Sequence, residues 1–133
     1  MFRGCSNSEA LYSPEDTEGV EKLMHMFVGK LVEAGFAVTL DNKTGKHDCM
    51  CRPFGTGFGV TMVGILTGSG ASWHGYPEHR YGRTIEIDFN LCYLPGRSDH
   101  MEALRGVRTV FKDWLKPKKI HVYQSERRYL YAV

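Results

Sequence analysis

The sequence predicts an α+β fold: an antiparallel sheet of four to six strands with two helices packed on one face, in the order α-β-(β)-β-β-α-β-β. Three observations carry that reading. Two stretches place apolar residues at three- and four-residue steps between helix start and stop signals. Within residues 83–94, positions 85–93 alternate between two faces, apolar on one and mostly polar on the other. Glycine- and proline-rich turns separate the other short apolar runs. Both helices and the long strand offer one apolar face each, and stacking the helices on one side of an antiparallel sheet buries all three.

Residues 1–12 read as an N-terminal arm, small and polar apart from Phe2, Leu11 and Tyr12, and residues 13–133 as a single α+β domain. The domain opens on a helix start: Ser13 can cap the open amides, Pro14 suits the first helical position, and Glu15 and Asp16 meet the positive end of the helix dipole. Val20, Leu23, Met24, Phe27, Val28 and Leu31 form one apolar stripe, and Gly35 is the expected left-handed stop, so the first helix spans about residues 14–34. Alternation at residues 36–40 predicts a strand, followed by turn chemistry at Asp41, Asn42 and Gly45. Residues 46–52 can pair back as a short strand, and residues 57–66 read as a strong one closed by Gly68-Ser69-Gly70. Residues 71–82 read as a long loop. The clearest strand follows, with Ile85, Ile87, Phe89, Leu91 and Tyr93 on one face and Glu86, Asp88, Asn90 and Cys92 on the other. Pro95-Gly96 turns the chain, Ser98 caps a second helix, and Met101, Leu104, Val107 or Arg108, Phe111, and Trp114 with Leu115 mark its inner side before Lys116-Pro117 stops it. Short strands at residues 120–123 and 128–133 complete the order.

With 133 residues, 42% apolar and 24% charged, the chain suits one globular domain and excludes disordered, collagen-like and coiled-coil classes. No run approaches the roughly 20 apolar residues that cross a bilayer, and Met1-Phe2-Arg3-Gly4-Cys5 lacks a signal-peptide core, so a cytoplasmic protein without membrane partners is expected. In that compartment Cys5, Cys49, Cys51 and Cys92 are expected as reduced thiols. The net charge of +2 conceals an asymmetry, because residues 103–133 hold eight basic and two acidic side chains.

Four constellations are candidates for function. His47, Cys49 and Cys51 would share one side of a strand and could contribute to a zinc site, with Cys5, Cys92, His74 or His79 as the fourth donor. Cys-x-Cys, however, is not the usual knuckle spacing. Glu86 and Asp88, with His74 and His79, could hold a divalent metal for hydrolysis. The segment Trp73, His74, Tyr76, His79, Arg80 and Tyr81 concentrates aromatic, imidazole and guanidinium groups of the kind that anchor interfaces. Arg105, Arg108, Lys112, Lys116, Lys118, Lys119, Arg127 and Arg128 form a basic patch. Its first three members share a helical stripe that suits phosphates or an acidic protein surface. No phosphate-binding loop and no G-x-S-x-G elbow occurs.

Because each catalytic set is incomplete, the sequence favours a small non-catalytic binding protein. It would dock through residues 71–82 and the basic end on a protein or nucleoprotein with an acidic surface. Inhibitors and adaptors of mobile genetic elements such as phages work in this way. No cofactor is expected, and an edge strand near residues 120–133 would permit a homodimer. A metal-dependent nuclease or hydrolase using Glu86, Asp88, His74 and His79 is one alternative. A nucleic-acid-binding domain using the basic C-terminal third is the other. The order helix, three strands, helix over about residues 14–116 is similar to that of the double-stranded-RNA-binding domain. That resemblance implies recognition of duplex shape and phosphates. The second helix of that family starts with clustered lysines, where this chain has Arg97-Ser98-Asp99-His100.

Overall fold

The computed structural model describes residues 1–11, 16–53, 59–76, 83–91 and 100–123. The elements run β1 (Phe2–Arg3), α1 (Thr17–Glu33), β2 (Cys49–Pro53), β3 (Val60–Leu66), β4 (Ser69–Tyr76), β5 (Thr84–Leu91), α2 (His100–Leu115) and β6 (Lys119–Ile120). The strands form one six-stranded sheet in the order β2-β3-β4-β5-β1-β6. Every neighbouring pair is antiparallel. This is the expected α+β architecture.

Helix α1 begins one turn later than the cap at Ser13 implied. Asp16 is the N-cap, its carboxylate accepting the Gly19 amide at 2.7 Å; Ser13 and Pro14 lie outside the described residues. The stop at Gly35 is where the sequence puts it, at φ +96°, and the Phe36 amide closes back on the Leu31 carbonyl at 3.0 Å. Helix α2 ends at Leu115, and the amide of Lys116 just beyond it reaches the Lys112 carbonyl at 3.0 Å.

The core lies between the helices and one face of the sheet. Leu23, Phe27 and Leu31 of α1 and Ala103, Val107, Phe111 and Leu115 of α2 meet Phe2, Cys51, Val60, Met62, Leu66, Ala71, Trp73 and Ile85. Aromatic rings bind the layers together. Phe27 stands edge-on to Trp73 at 5.4 Å, Trp73 is tilted against Trp114 at 5.5 Å, and Phe111 lies 6.3 Å from Phe2. Such pairs add about 0.5–1.5 kcal/mol each beyond the area they bury. The other sheet face carries the alternate residues. Met50 faces Val63 across β2–β3 with Ile65 two positions on, and all three are largely exposed.

Three expectations about secondary structure are corrected. Residues 71–76, read as the start of a long loop, belong to β4, which turns back from β3 through Thr67-Gly68 and pairs with β5 from Ser69↔Leu91 to Tyr76↔Thr84. Residues 36–40 make only isolated bridges, Val38↔Leu66 and Leu40↔His47, in place of a continuous strand. The N-terminal arm is built into the sheet at its start: Phe2 is buried and pairs with Ile85 on one side and Ile120 on the other. Four strands therefore separate the helices, so the element order departs from that of the double-stranded-RNA-binding domain. The strand expected at residues 128–133 lies outside the described residues.

Candidate functional site

Placing the aromatic and imidazole segment on β4 changes what it can do. Alternation along the strand sends Trp73 to the helix-covered face and His74 and Tyr76 to the other. Trp73 is 0% exposed and packs between Phe27 and Trp114. It is a core residue and offers no surface to a partner, a correction to its expected role. Its indole N–H finds no hydrogen-bond acceptor, and a Cβ on Gly75 would stand 3.2 Å from that nitrogen. Gly75 thus leaves the room the indole fills. His74 is half-buried on the open face, its Nδ1 3.2 Å from the Thr61 hydroxyl. His79, Arg80 and Tyr81 lie outside the described residues.

Among the described residues the two metal readings do not assemble. Glu86 sits opposite His74 and Asp88 opposite Ser72 in the β4–β5 ladder. His74 and Glu86 are therefore neighbours on the open face, but among the described residues no three His, Cys, Asp or Glu side chains could hold a metal ion. Cys49 and Cys51 belong to β2, whereas His47 precedes the strand and bridges to Leu40. The ring of His47 rests edge-on against His25 of α1 at 5.6 Å. Cys5, Cys49 and Cys51 are free thiols; Cys92 lies outside the described residues. Burial pushes the Cys49 thiol up to about 11, and the neighbouring Cys51 adds to the shift. Burial likewise pushes Cys5 up to about 11 and raises Cys51. Thiols held protonated are poor nucleophiles.

The basic residues, by contrast, gather. Arg105, Arg108 and Lys112 are exposed on α2 and Lys116, Lys118 and Lys119 are exposed beyond it; Arg127 and Arg128 lie outside the described residues. Two cations from elsewhere in the chain join them, Arg3 and Arg83, both exposed. Residues 3–6 form the spine of this corner. The Cys5 amide donates to the Arg83 carbonyl at 3.1 Å and the Lys118 amide to the Arg3 carbonyl at 2.9 Å. The Ser6 hydroxyl donates to the Lys116 carbonyl at 3.3 Å. Arg3 and Lys119 are direct partners in the β1–β6 ladder. The Lys118 side chain lies over Gly4, where an added Cβ would meet its stem at 3.0 Å. Gly4, at φ +66°, both makes the turn and admits this close approach.

Two features of the corner carry an energetic cost. Like charges directly opposite each other in a ladder repel, and Arg3 and Lys119 are such a pair. Arg83 at φ +53° and Lys116 at φ +48° are the non-glycine residues with positive φ among the described residues. That conformation costs an L-residue about 1–2 kcal/mol, so both strained positions hold a cation. The ion pairs Lys30–Glu33 and Lys46–Glu21 lie elsewhere. Nothing local in the sequence marks Arg3 or Arg83 as part of the patch, because only the register of Phe2 with Ile85 and Ile120 brings them to Lys116–Lys119. Among the described residues no helix is long and apolar enough to cross a membrane. Searches with protein-family models and among curated proteins found no match to the chain.

Proposed function

We propose that this chain is a small non-catalytic binding protein, an inhibitor or adaptor that docks its basic corner on an acidic surface of a larger macromolecule. One observation carries the reading: Arg3, Arg83, Lys116, Lys118 and Lys119 converge from three distant parts of the chain, all exposed, with no carboxylate paired to any of them among the described residues. A concentrated single-sign field raises association rates and selects partners of opposite charge. With Trp73 in the core, the docking surface rests on this corner and on the basic stripe of α2.

The test is affinity purification of the tagged protein beside the Lys118→Glu/Lys119→Glu variant, each with and without nuclease treatment, followed by mass spectrometry. The reading expects a defined partner held by the parent chain and released by the charge reversal, with the variant's circular dichroism unchanged. Equal retention by both proteins overturns it.

A further inference from the structure

We infer that the basic corner grips the sugar–phosphate backbone of a nucleic acid, without reading base sequence. The inference rests on the proposed docking function and names the chemistry of the partner.

The cations are arranged in a way that suits a row of anions. Arg3 and Lys119 stand side by side across a strand pair, where Cβ atoms lie about 4.5–5.5 Å apart. Lys118 is fixed next to them on Gly4. Lys116 and Arg83 are bonded through their carbonyls to Ser6 and Cys5 of the same spine. On the helix-covered side of the sheet Lys112 and Arg108 are exposed on α2, at four-residue steps from Lys116. Phosphates supply a dense line of negative charge, and each one neutralised releases counterions. The repulsion between Arg3 and Lys119 and the strained backbone at Arg83 and Lys116 are costs in the free chain. A polyanion lying across the corner removes the first of these costs.

The surface between the cations favours nucleic acid over protein. Gly4, Ser6 and Pro117 lie between the cations, and the exposed apolar side chains nearby, Met1, Val122 and Tyr123, stand at the margin of the patch, whereas a protein–protein interface places its large anchors at the centre. Contacts made only by cations position a protein on a phosphate backbone and carry no sequence information. The acidic residues of the open sheet face, Glu86 and Asp88 on β5, would turn phosphate away from the rest of that face.

Fluorescence anisotropy on the full chain tests this, with labelled short duplexes of DNA and RNA of unrelated sequence, polyglutamate, and vesicles rich in phosphatidylserine as separate probes. Binding to the duplexes, independent of sequence, is expected to weaken by about 10²–10³-fold between roughly 50 and 200 mM salt, as four or five phosphate contacts require. Lys116→Gly, which relieves its backbone, and Lys118→Ala/Lys119→Ala should each lower the salt slope, by about one unit per charge removed. Unchanged duplex binding in these folded variants overturns the inference. Equal or tighter binding to polyglutamate or to the vesicles overturns it too, by assigning the corner to acidic protein or to membrane. Failure to bind any duplex, together with a nuclease-resistant protein partner lost on charge reversal, refutes the phosphate reading and leaves the docking function standing. Failure of both experiments removes the two together.

Discussion

Trp73 and Gly75 form one packing unit on β4, and their substitutions separate core from surface roles. Trp73→Ala empties the space between Phe27 and Trp114 and is expected to cost about 3–5 kcal/mol in urea denaturation. Gly75→Ala brings a methyl group to 3.2 Å from the rigid indole nitrogen and is expected to cost about 1–3 kcal/mol. A stable Trp73→Ala protein would contradict the packing. The thiols make a pH prediction. Folded Cys5 and Cys49 ionise at about 11, against the ordinary 9.0. The unfolded chain therefore releases protons first on alkalinisation. Their contribution is complete below pH 9.0 and is lost as pH rises through about 11. Melting temperature should fall across that window, and Cys49→Ala should flatten the fall. Cys5, Cys49 and Cys51 of the native protein should alkylate slowly with iodoacetamide at neutral pH, read residue by residue by mass spectrometry, and urea should expose all three together.

The helices were legible because their signals are local. A cap, a stripe at helical period and a stop lie within one stretch of chain, and α1 and α2 stand within a turn of their expected bounds. Strand β5 was equally plain from its alternation. Strand β4 was hidden because Ser69, Gly70, Ala71, Ser72 and Gly75 have low β-propensity and resemble loop chemistry. The small residues at 71 and 75 on the core face flank Trp73, and their pairing partners on β3 and β5 hold the strand extended. Residues 36–40 show the converse: alternation without a continuous partner yields isolated bridges. The basic stripe of α2 was legible from its spacing, whereas the corner it leads to depends on pairing between residues more than eighty positions apart. At the end of α2, Lys116→Gly should raise stability by about 1 kcal/mol by removing the left-handed penalty, read as a higher urea midpoint. At its counterpart, Asp16→Ala should remove the cap of α1 and cost about 1 kcal/mol.

Across the whole molecule the sheet is finished by its shortest members. Phe2 joins β5 to β6 and reaches Phe111 in the core. Phe2→Ala is expected to lower global stability by about 3–5 kcal/mol, and hydrogen exchange should show amides of both β5 and β6 losing protection with it. Local fraying confined to residues 1–5 would contradict that coupling.

The position of β1 between β5 and β6 also sets an order of events during synthesis. A ribosome adds about 5–20 residues each second, so Phe2 leaves the exit tunnel many seconds before its later partner, Ile120, has been translated. Through that interval an aromatic side chain and an unpaired backbone edge remain available to chaperones and to neighbouring nascent chains. Translation of β6, and not the emergence of the first helix, is then the step that covers this edge.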